Sequence, residues 1–423
     1  MKAKYLTNAR LAICILAVTL LVSCSKPDTS PNLEANKDLM SIMDDYYLWY
    51  DKMPSVKYEN YYSPNELLEA LRYKELDKWS YITTRQEIEA YYDDAQFIGF
   101  GIGMAFDQNG KLWITFIFDD SPLRKHGVER GWRIDALNGV KPTPSNVNDL
   151  FGPSNVGVTI DFLMINPDGE TVRFSASKRA VTMNTVLLDT VYSAGQGKVA
   201  YIVLKGFIEK TNQELDQAFG KFLSQGVSDL IVDLRYNTGG LVDAASYLSD
   251  LMAGYTANNQ ILGTYVHNEK QSKLNKPIYI KKRDNSLNIS RAVFITSGQS
   301  ASASELAING LFPYLDLTLV GSKTYGKPVG MYVFTSDSYD WAFVPICFKI
   351  LNANNEGDYY NGIPVDINQI DGINYPFGNL DEPCLNSSIA FIQGLAPKYG
   401  TPSASERLEY PMQKGLYGEI GAW

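Results

Sequence analysis

From residue 196 onward, short apolar runs alternate with amphipathic stretches. The runs KVAYIVL, DLIVDL and RAVFITS have the length and β-branched content of buried strands, and NQELDQAFGKFLSQG and LVDAASYLSDLMAG between them have helical periodicity. Apolar strands that cross to one another through helices form parallel sheets covered on both faces. The pattern predicts an α/β fold with a largely parallel sheet over residues 182–395, with extra strands after residue 331.

The sequence before this region divides into two further parts. Residues 33–96 are rich in helix formers and aromatics, which predicts a small helical domain with the aromatics of MDDYYLWYDKM in its core. Residues 97–181 alternate strand-like runs with turns, and DQNGK and NPDG are typical of hairpin connections. We therefore expect a multi-domain α/β chain with a β-rich second domain and a C-terminal tail over residues 396–423.

The first 24 residues predict targeting to a membrane. Three cations precede a short apolar core, and the core ends in LVSC, which resembles the bacterial lipobox. We expect residues 1–23 to be a lipoprotein signal peptide, Cys24 to carry lipid and residues 24–32 to be a tether. The protein would then be lipid-anchored in the bacterial cell envelope, facing the periplasm or the surface. A plain secretory signal or an uncleaved anchor are the alternatives.

Charge and cysteine usage exclude several classes of function. The net charge of −9 without a basic stripe argues against nucleic acid, whose phosphates require clustered Lys and Arg. No CxxC motif or His/Cys cluster suggests a metal site, and we expect no cofactor. Cys347 and Cys384 are able to pair in an oxidising compartment, but their separation does not decide this.

The segment GQSASASE raises the question of a nucleophile. Ser302 and Glu305 have the S-x-x-E spacing of a capping box ahead of an apolar run, so a structural role is open, and the local sequence does not choose among the three serines. The later GSKTYGKP resembles a phosphate-binding loop, but Pro328 replaces the required Ser or Thr. In DLRYNTGG, two glycines end a strand, which suits either an oxyanion hole or a tight turn.

A nucleophilic serine needs a base. His126 and His267 lie in polar surroundings with no motif beside them, so a Ser-His-Asp triad is poorly supported. Lysine does the same work where burial lowers its pKa toward neutrality. Ser–Lys catalysis is therefore the economical hypothesis.

Together, SASASE, GSKTYGK, VDLRYNTGG and the later YNGIPVDI resemble the C-terminal processing (tail-specific) serine peptidases, in which a PDZ domain precedes a catalytic domain of crotonase-like βα arrangement. The resemblance implies that Ser302 is the nucleophile and Lys327 the base. It also implies an oxyanion hole formed by the amide of Ala303 and a glycine of the pair Gly239 and Gly240. The implied substrate is a polypeptide.

The stretch FIGFGIGM is similar to the carboxylate-binding loop of PDZ domains. This resemblance implies that the amides around Gly101, Ile102 and Gly103 bind the C-terminal end of the substrate, and that the substrate pairs with the sheet edge. Trp132 departs from the PDZ pattern, where an aspartate usually follows the glycine.

The catalytic motif also departs from the family pattern. Met331 stands where the family often has a glutamine that orients the lysine, and Pro328 replaces a glycine. Asp316 and Glu305 are candidate helpers. A non-catalytic peptide- or ligand-binding lipoprotein on the same fold is the main alternative function, and a hydrolase of small acyl or ester substrates is a weaker one. The sequence does not give the oligomeric state.

Overall fold

The computed structural model describes residues 32–195, 197–396, 408–411 and 413–423. The signal peptide, Cys24 and nearly all of the tether lie outside the described residues. The α-helices of the described part are α1 (Leu33–Tyr46), α2 (Pro64–Leu71), α3 (Arg85–Tyr92), α4 (Val147–Phe151), α5 (Thr211–Gln225), α6 (Val242–Ala253), α7 (Ala303–Leu311), α8 (Pro383–Ile392) and α9 (Gly415–Ile420).

The described strands fall into several sheets. They are β1 (Tyr81–Thr84), β2 (Gln96–Gly99), β3 (Ile102–Phe106), β4 (Leu112–Ile117), β5 (Arg133–Leu137), β6 (Thr159–Ile165), β7 (Thr171–Ser177), β8 (Arg179–Thr182), β9 (Val186–Ala194), β10 (Gly197–Leu204), β11 (Asp229–Asp233), β12 (Ile261–His267), β13 (Pro277–Tyr279), β14 (Arg291–Thr296), β15 (Asp316–Gly321), β16 (Val329–Met331), β17 (Phe334–Thr335), β18 (Trp341–Val344), β19 (Ile346–Leu351) and β20 (Ile367–Asn368).

The central sheet has the strand order β20-β15-β14-β11-β10-β9. All neighbours in it are parallel except β9, which runs antiparallel to β10 at the edge. One face packs on α5, α6 and α7 through residues such as Phe219, Leu248 and Ile308. The other face packs on α8 through Leu385 and Ile392. The prediction of a largely parallel sheet covered on both faces is confirmed.

Residues 96–182 form the β-rich body. Its five-stranded sheet, in the order β3-β4-β5-β6-β7, is antiparallel, and β2 pairs with β8 beside it. Both predicted hairpins are present, β3 with β4 and β6 with β7. Trp132 is buried in the core of this body, where no water would solvate the carboxylate of an aspartate.

The N-terminal region is helical, but it does not pack by itself. Strand β1 pairs antiparallel with β18, and residues of α1 such as Leu39 share a core with Phe343 and Ile346. The aromatic stretch does supply core, because Tyr47 is buried and its hydroxyl donates to Asp77. The segment after residue 331 was expected to give a pair of strands, whereas the structure divides it into β17, β18 and β19.

A buried ion cluster joins the β-rich body to the central sheet. Arg235, which follows β11, contacts the carboxylates of Asp233, Asp371 and Glu382 at 2.6–3.0 Å. Arg130 of the β-rich body contacts Asp371 at 2.7 Å and donates to the Tyr236 hydroxyl at 2.6 Å. Buried charges of this kind are tolerated because each has an opposite partner.

The positions of the two cysteines answer one further sequence question. Cys347 and Cys384 are both buried and free, since they lie in different cores on β19 and α8. Within the described ranges, no helix has both the length and the apolar character needed to cross a membrane.

Candidate active site

Ser302 lies at the turn between β14 and α7. Its backbone has φ 55° and ψ −114°, a region that non-glycine residues rarely adopt. Its amide donates to Glu305 Oε2 at 2.9 Å, which is the Glu305 half of the capping box that the S-x-x-E spacing predicts. Strain of this kind is stored where the surrounding structure holds a residue for a purpose other than local stability.

The three serines of SASASE differ in what their hydroxyls do. Ser300 Oγ donates to the carbonyl of Leu234 at 2.7 Å, and Ser304 Oγ donates to the carbonyl of Asn237 at 2.9 Å. Both residues are fully buried. Ser302 is partly exposed and borders a groove, so it alone of the three presents a hydroxyl to an incoming molecule.

The glycine pair lies directly against this serine. Gly239 has φ 110°, and a Cβ on it would stand 2.8 Å from Ser302 Cβ. Its amide already donates to the side chain of Asn237 at 3.0 Å. Gly240 borders the groove, and in the described part of the chain its amide has no hydrogen-bond acceptor. The amide of Ala303, at the first turn of α7, has none there either.

Hydrogen bonds to Glu305 connect the turn at Ser302 to the loop that contains Lys327. Its fully buried carboxylate accepts hydrogen bonds from Thr324 Oγ1, from the amides of Gly326 and Lys327 at 2.7 and 2.8 Å, and from the amide of Ser302. Burial raises the pKa of the Glu305 carboxyl, and the four hydrogen bonds oppose that rise. The sequence offered Glu305 as half of a capping box and, with Asp316, as a candidate helper of the lysine.

Lys327 lies in the loop before β16 and borders the same cavity as Ser302. The side chains of Ser302 and Lys327 both border one small cavity, together with Ala303 and Gly330. The lysine is buried, and its ammonium contacts Glu419 Oε1 at 2.7 Å. Glu419 belongs to α9, 92 residues further along the chain. No motif in the sequence pointed to it.

A groove of about 460 Å³ runs beside the cavity. Ser302, Gly240 and Glu419 border it, and Met331 of β16 lines the wall where the family often has a glutamine. The thioether of Met331 offers no strong hydrogen bond to the lysine. The groove also contacts the helix α3 through Ile88 and Tyr92, so the N-terminal region forms part of its wall.

The histidines and the second candidate helper lie elsewhere. His267 was expected in a polar loop, but it ends strand β12, where it is buried and contacts Asn275 and Tyr332. His126 stacks on Phe174 of the β-rich body. Asp316 begins β15 at an exposed position.

The glycine loop of the β-rich body is occupied by the chain's own last residue. The main-chain oxygen of Trp423 accepts from the amides of Phe100, Gly101 and Ile102 at 2.7, 2.6 and 3.3 Å, and the Trp423 amide donates to the Ile102 carbonyl at 2.8 Å. Gly103, also expected to contribute, lies within β3 opposite Phe116. The loop thus binds a peptide backbone in the way that strand addition does.

No group of three or more His, Cys, Asp or Glu side chains suited to a metal ion occurs among the residues with described positions.

Two family sequence models match parts of this chain. A sequence model described as Peptidase family S41 matches residues 198–368, and one described as Peptidase S41 N-terminal domain matches residues 34–81. Together they cover just over half of the chain.

Individual relatives are more distant. A CtpA-like serine protease of Staphylococcus aureus is 27% identical over 265 residues, which cover 60% of this chain and 50% of the relative. A carboxy-terminal-processing protease of Bartonella bacilliformis is 26% identical over 243 residues, 55% of this chain and 52% of the relative. The chain thus spans about half the length of the curated relatives it matches.

The fold is also found in solved structures. A crystal structure of a Bacteroides fragilis protein assigned to the S41 proteases superposes with a TM-score of 0.71 at 24% identity. The superposition covers 84% of this chain and 97% of the other.

Proposed function

Because this chain belongs to peptidase family S41, we propose that it is a serine endopeptidase of the C-terminal processing type, with Ser302 as nucleophile and Lys327 as base. The observation that carries the proposal is that both residues border one cavity, with the serine held in a strained turn.

In the first half of the reaction, the neutral amine of Lys327 takes the proton of Ser302 Oγ while that oxygen attacks the substrate carbonyl carbon. The carbonyl electron pair moves to the oxygen, and the amides of Ala303 and Gly240 stabilise the resulting oxyanion. Gly240 suits this role better than Gly239, since the Gly239 amide already donates to Asn237. Lys327 then gives its proton to the leaving amine as the C–N bond breaks.

In the second half, a water molecule attacks the acyl-enzyme and Lys327 takes a proton from it. The C–O bond to Ser302 breaks, the serine recovers its proton, and a new carboxyl end leaves. Glu305 positions both groups by holding their main-chain amides.

The β-rich body acts as the PDZ domain of the proposal. The amides of Phe100, Gly101 and Ile102 would bind the carboxyl end of a polypeptide, and β3 would pair with the residues before it. The hydrogen bonds that these groups make to Trp423 support this role.

A non-catalytic binding protein is the second candidate. The ion pair between Lys327 and Glu419 favours it, because a charged lysine is not a base. A fluorophosphonate probe that labels active serines separates the two functions. We expect labelling of the wild-type protein and none of Ser302→Ala, with a loss of at least about 100-fold in Lys327→Ala. Equal labelling of wild type and Ser302→Ala would overturn the assignment.

We also propose that the protein is anchored to the bacterial envelope through lipid on Cys24. The support is the sequence LVSC after a short apolar core. Metabolic labelling with an alkyne fatty acid should mark the wild-type protein and leave Cys24→Ser unmarked. Equal incorporation in both would rule out this anchor.

A further inference from the structure

Residues 413–423 form a segment that contacts all three parts of the molecule. Leu416, Ile420 and Ala422 are buried in a core that also contains Tyr81, Tyr91 and Phe118. Trp423 packs on Phe151 of α4, with ring centroids 5.0 Å apart. The segment is therefore folded onto the enzyme as a ligand would be, and we call it the C-terminal strap.

The strap occupies the glycine loop of the β-rich body, residues 100–102, which we call the substrate-end loop. The main-chain oxygen of Trp423 accepts hydrogen bonds from the amides of Phe100, Gly101 and Ile102, which in the proposed function bind the carboxyl end of the substrate. A polypeptide end and the strap cannot use the same three amides at once. The indole ring beside Phe151 also indicates that this site accepts a large aromatic side chain.

The strap also reaches the proposed base. Glu419 Oε1 lies 2.7 Å from Lys327 Nζ, and Glu419 Oε2 accepts from the hydroxyls of Tyr92 and Tyr81 at 3.0 and 3.2 Å. An ammonium held in this ion pair has no lone pair to accept the serine proton.

The main chain of the strap is held beside the glycine pair. The Ile420 carbonyl accepts from Lys205 Nζ at 2.9 Å, and the Glu419 carbonyl accepts from Thr238 Oγ1. Glu419 also borders the groove next to Ser302, so the strap takes up space that a substrate would need. One segment thus contacts the substrate-end loop, the groove and the base.

We propose that the C-terminal strap is an autoinhibitory segment, which holds Lys327 in the ion pair with Glu419 and keeps the substrate-end loop filled until a polypeptide with a bulky aromatic carboxyl end displaces it. This inference rests on the proposed function. The strap is the ligand of both sites in the resting protein, and the activity of the resting protein is low for that reason.

Glu419→Gln in the full-length protein tests the contact with the base. A glutamine of the same size still accepts from the tyrosines, but it removes the negative charge beside the ammonium. We expect the fluorophosphonate to label Ser302 at least about tenfold faster at pH 7 than in wild type. Glu409→Gln is the matched control, since it removes the same charge from an exposed side chain nearby, and it should label at the wild-type rate.

Trp423→Ala tests the anchor at the substrate-end loop. We expect faster labelling again, because the strap loses its packing on Phe151 and leaves more often. Adding the peptide QKGLYGEIGAW, which is residues 413–423, should restore the slow rate. The same peptide carrying Glu419→Gln should also bind the substrate-end loop, but it should slow the labelling less than the unchanged peptide does.

The outcomes distinguish a failure of the autoinhibition from a failure of the proposed peptidase function. Labelling that depends on Ser302 and is equal in wild type, Glu419→Gln and Trp423→Ala would overturn the autoinhibition and leave the peptidase standing. Absence of labelling in all of these variants would overturn the peptidase and the autoinhibition together. Slow labelling in wild type and fast labelling in both variants would support both.

Discussion

Gly239 approaches Ser302 so closely that a Cβ on the glycine would lie 2.8 Å from the serine Cβ. The same Cβ would lie 3.1 Å from the amide nitrogen of Ala303. Real Cβ atoms do not approach a neighbouring carbon to within 3.0 Å, so a side chain here would force the serine turn to move. The absence of a side chain at residue 239 is thus a condition for the position of Ser302.

We expect Gly239→Ala to lower the rate of fluorophosphonate labelling by roughly 100-fold, because displacing a reacting group by about 1 Å costs that much. The measurement is the labelling rate of Ser302 alongside the thermal stability of the variant.

Gly169→Ala is the matched control for this substitution. Gly169 also has a positive φ, 85°, but a Cβ there would meet no atom within 4 Å. It should lose some stability and keep the wild-type labelling rate. A similar loss of labelling in both variants would attribute the effect to backbone strain alone.

Glu305→Gln should reduce turnover through positioning. Each oxygen of the carboxylate accepts two hydrogen bonds, so an amide NH₂ would face two donors whichever way it turned. We expect a fall in kcat of roughly 10- to 100-fold with a smaller change in KM, and a stability loss of about 2–4 kcal/mol for the unsatisfied donors.

Asp316→Asn removes the other acid that the sequence offered as a helper. Because Asp316 is exposed at the start of β15, we expect wild-type kinetics. A kcat for Glu305→Gln that matches this control would contradict the positioning role.

Alanine substitutions at the three serines of SASASE should differ in their effects on stability and on labelling. Ser300→Ala and Ser304→Ala each remove one buried hydrogen bond to a carbonyl, which costs about 0.5–1.5 kcal/mol of stability, but both variants should still be labelled. Ser302→Ala should keep its stability and lose labelling. Chemical denaturation and labelling of the same samples check this, and loss of labelling in a stable Ser300→Ala or Ser304→Ala protein would contradict it.

The architecture and the motifs were predictable because they depend on local pattern. Strand and helix periodicity predicted the central sheet, and the resemblance of the motifs to a known family implied Ser302 and Lys327, which border the same cavity. The choice among the serines depended on hydroxyl partners such as Leu234 and Asn237, which lie more than 60 residues away in sequence. No local pattern encodes those contacts.

Long-range contacts also explain what the sequence did not indicate. Glu419 carries no motif, and its meaning comes only from the fold that brings it to Lys327. The N-terminal region has helical periodicity, which says nothing about β1 pairing with β18, some 260 residues later. Met331 identified a departure from the family pattern but not which residue would contact the lysine instead.

Lys205 should make stability depend on pH. Burial lowers the pKa of its ammonium from 10.5 to about 7. Between these values the unfolded chain binds the proton and the folded protein does not, so the free energy of unfolding rises with pH from about 7 to 10.5, by up to about 1.4 kcal/mol per pH unit. The destabilisation is complete below pH 7.

Urea denaturation of wild type and Lys205→Met at pH 7 to 10 measures this dependence. The advantage of wild type over the variant should grow with pH. Lys198→Met, at an exposed position of β10, should run parallel to wild type. Parallel curves for all three proteins would contradict the lowered pKa of Lys205.

The ion cluster around Arg235 has a consequence for how the molecule melts. The β-rich body has its own hydrophobic core, and a body of that kind often unfolds as a separate step. Here Arg130 belongs to that body, whereas its partner Asp371 follows the central sheet. Local unfolding would therefore leave one arginine, Arg235, against three buried carboxylates, at a cost of about 3–5 kcal/mol. The two bodies should accordingly lose their structure as one cooperative unit, and calorimetry should record a single heat-absorption peak.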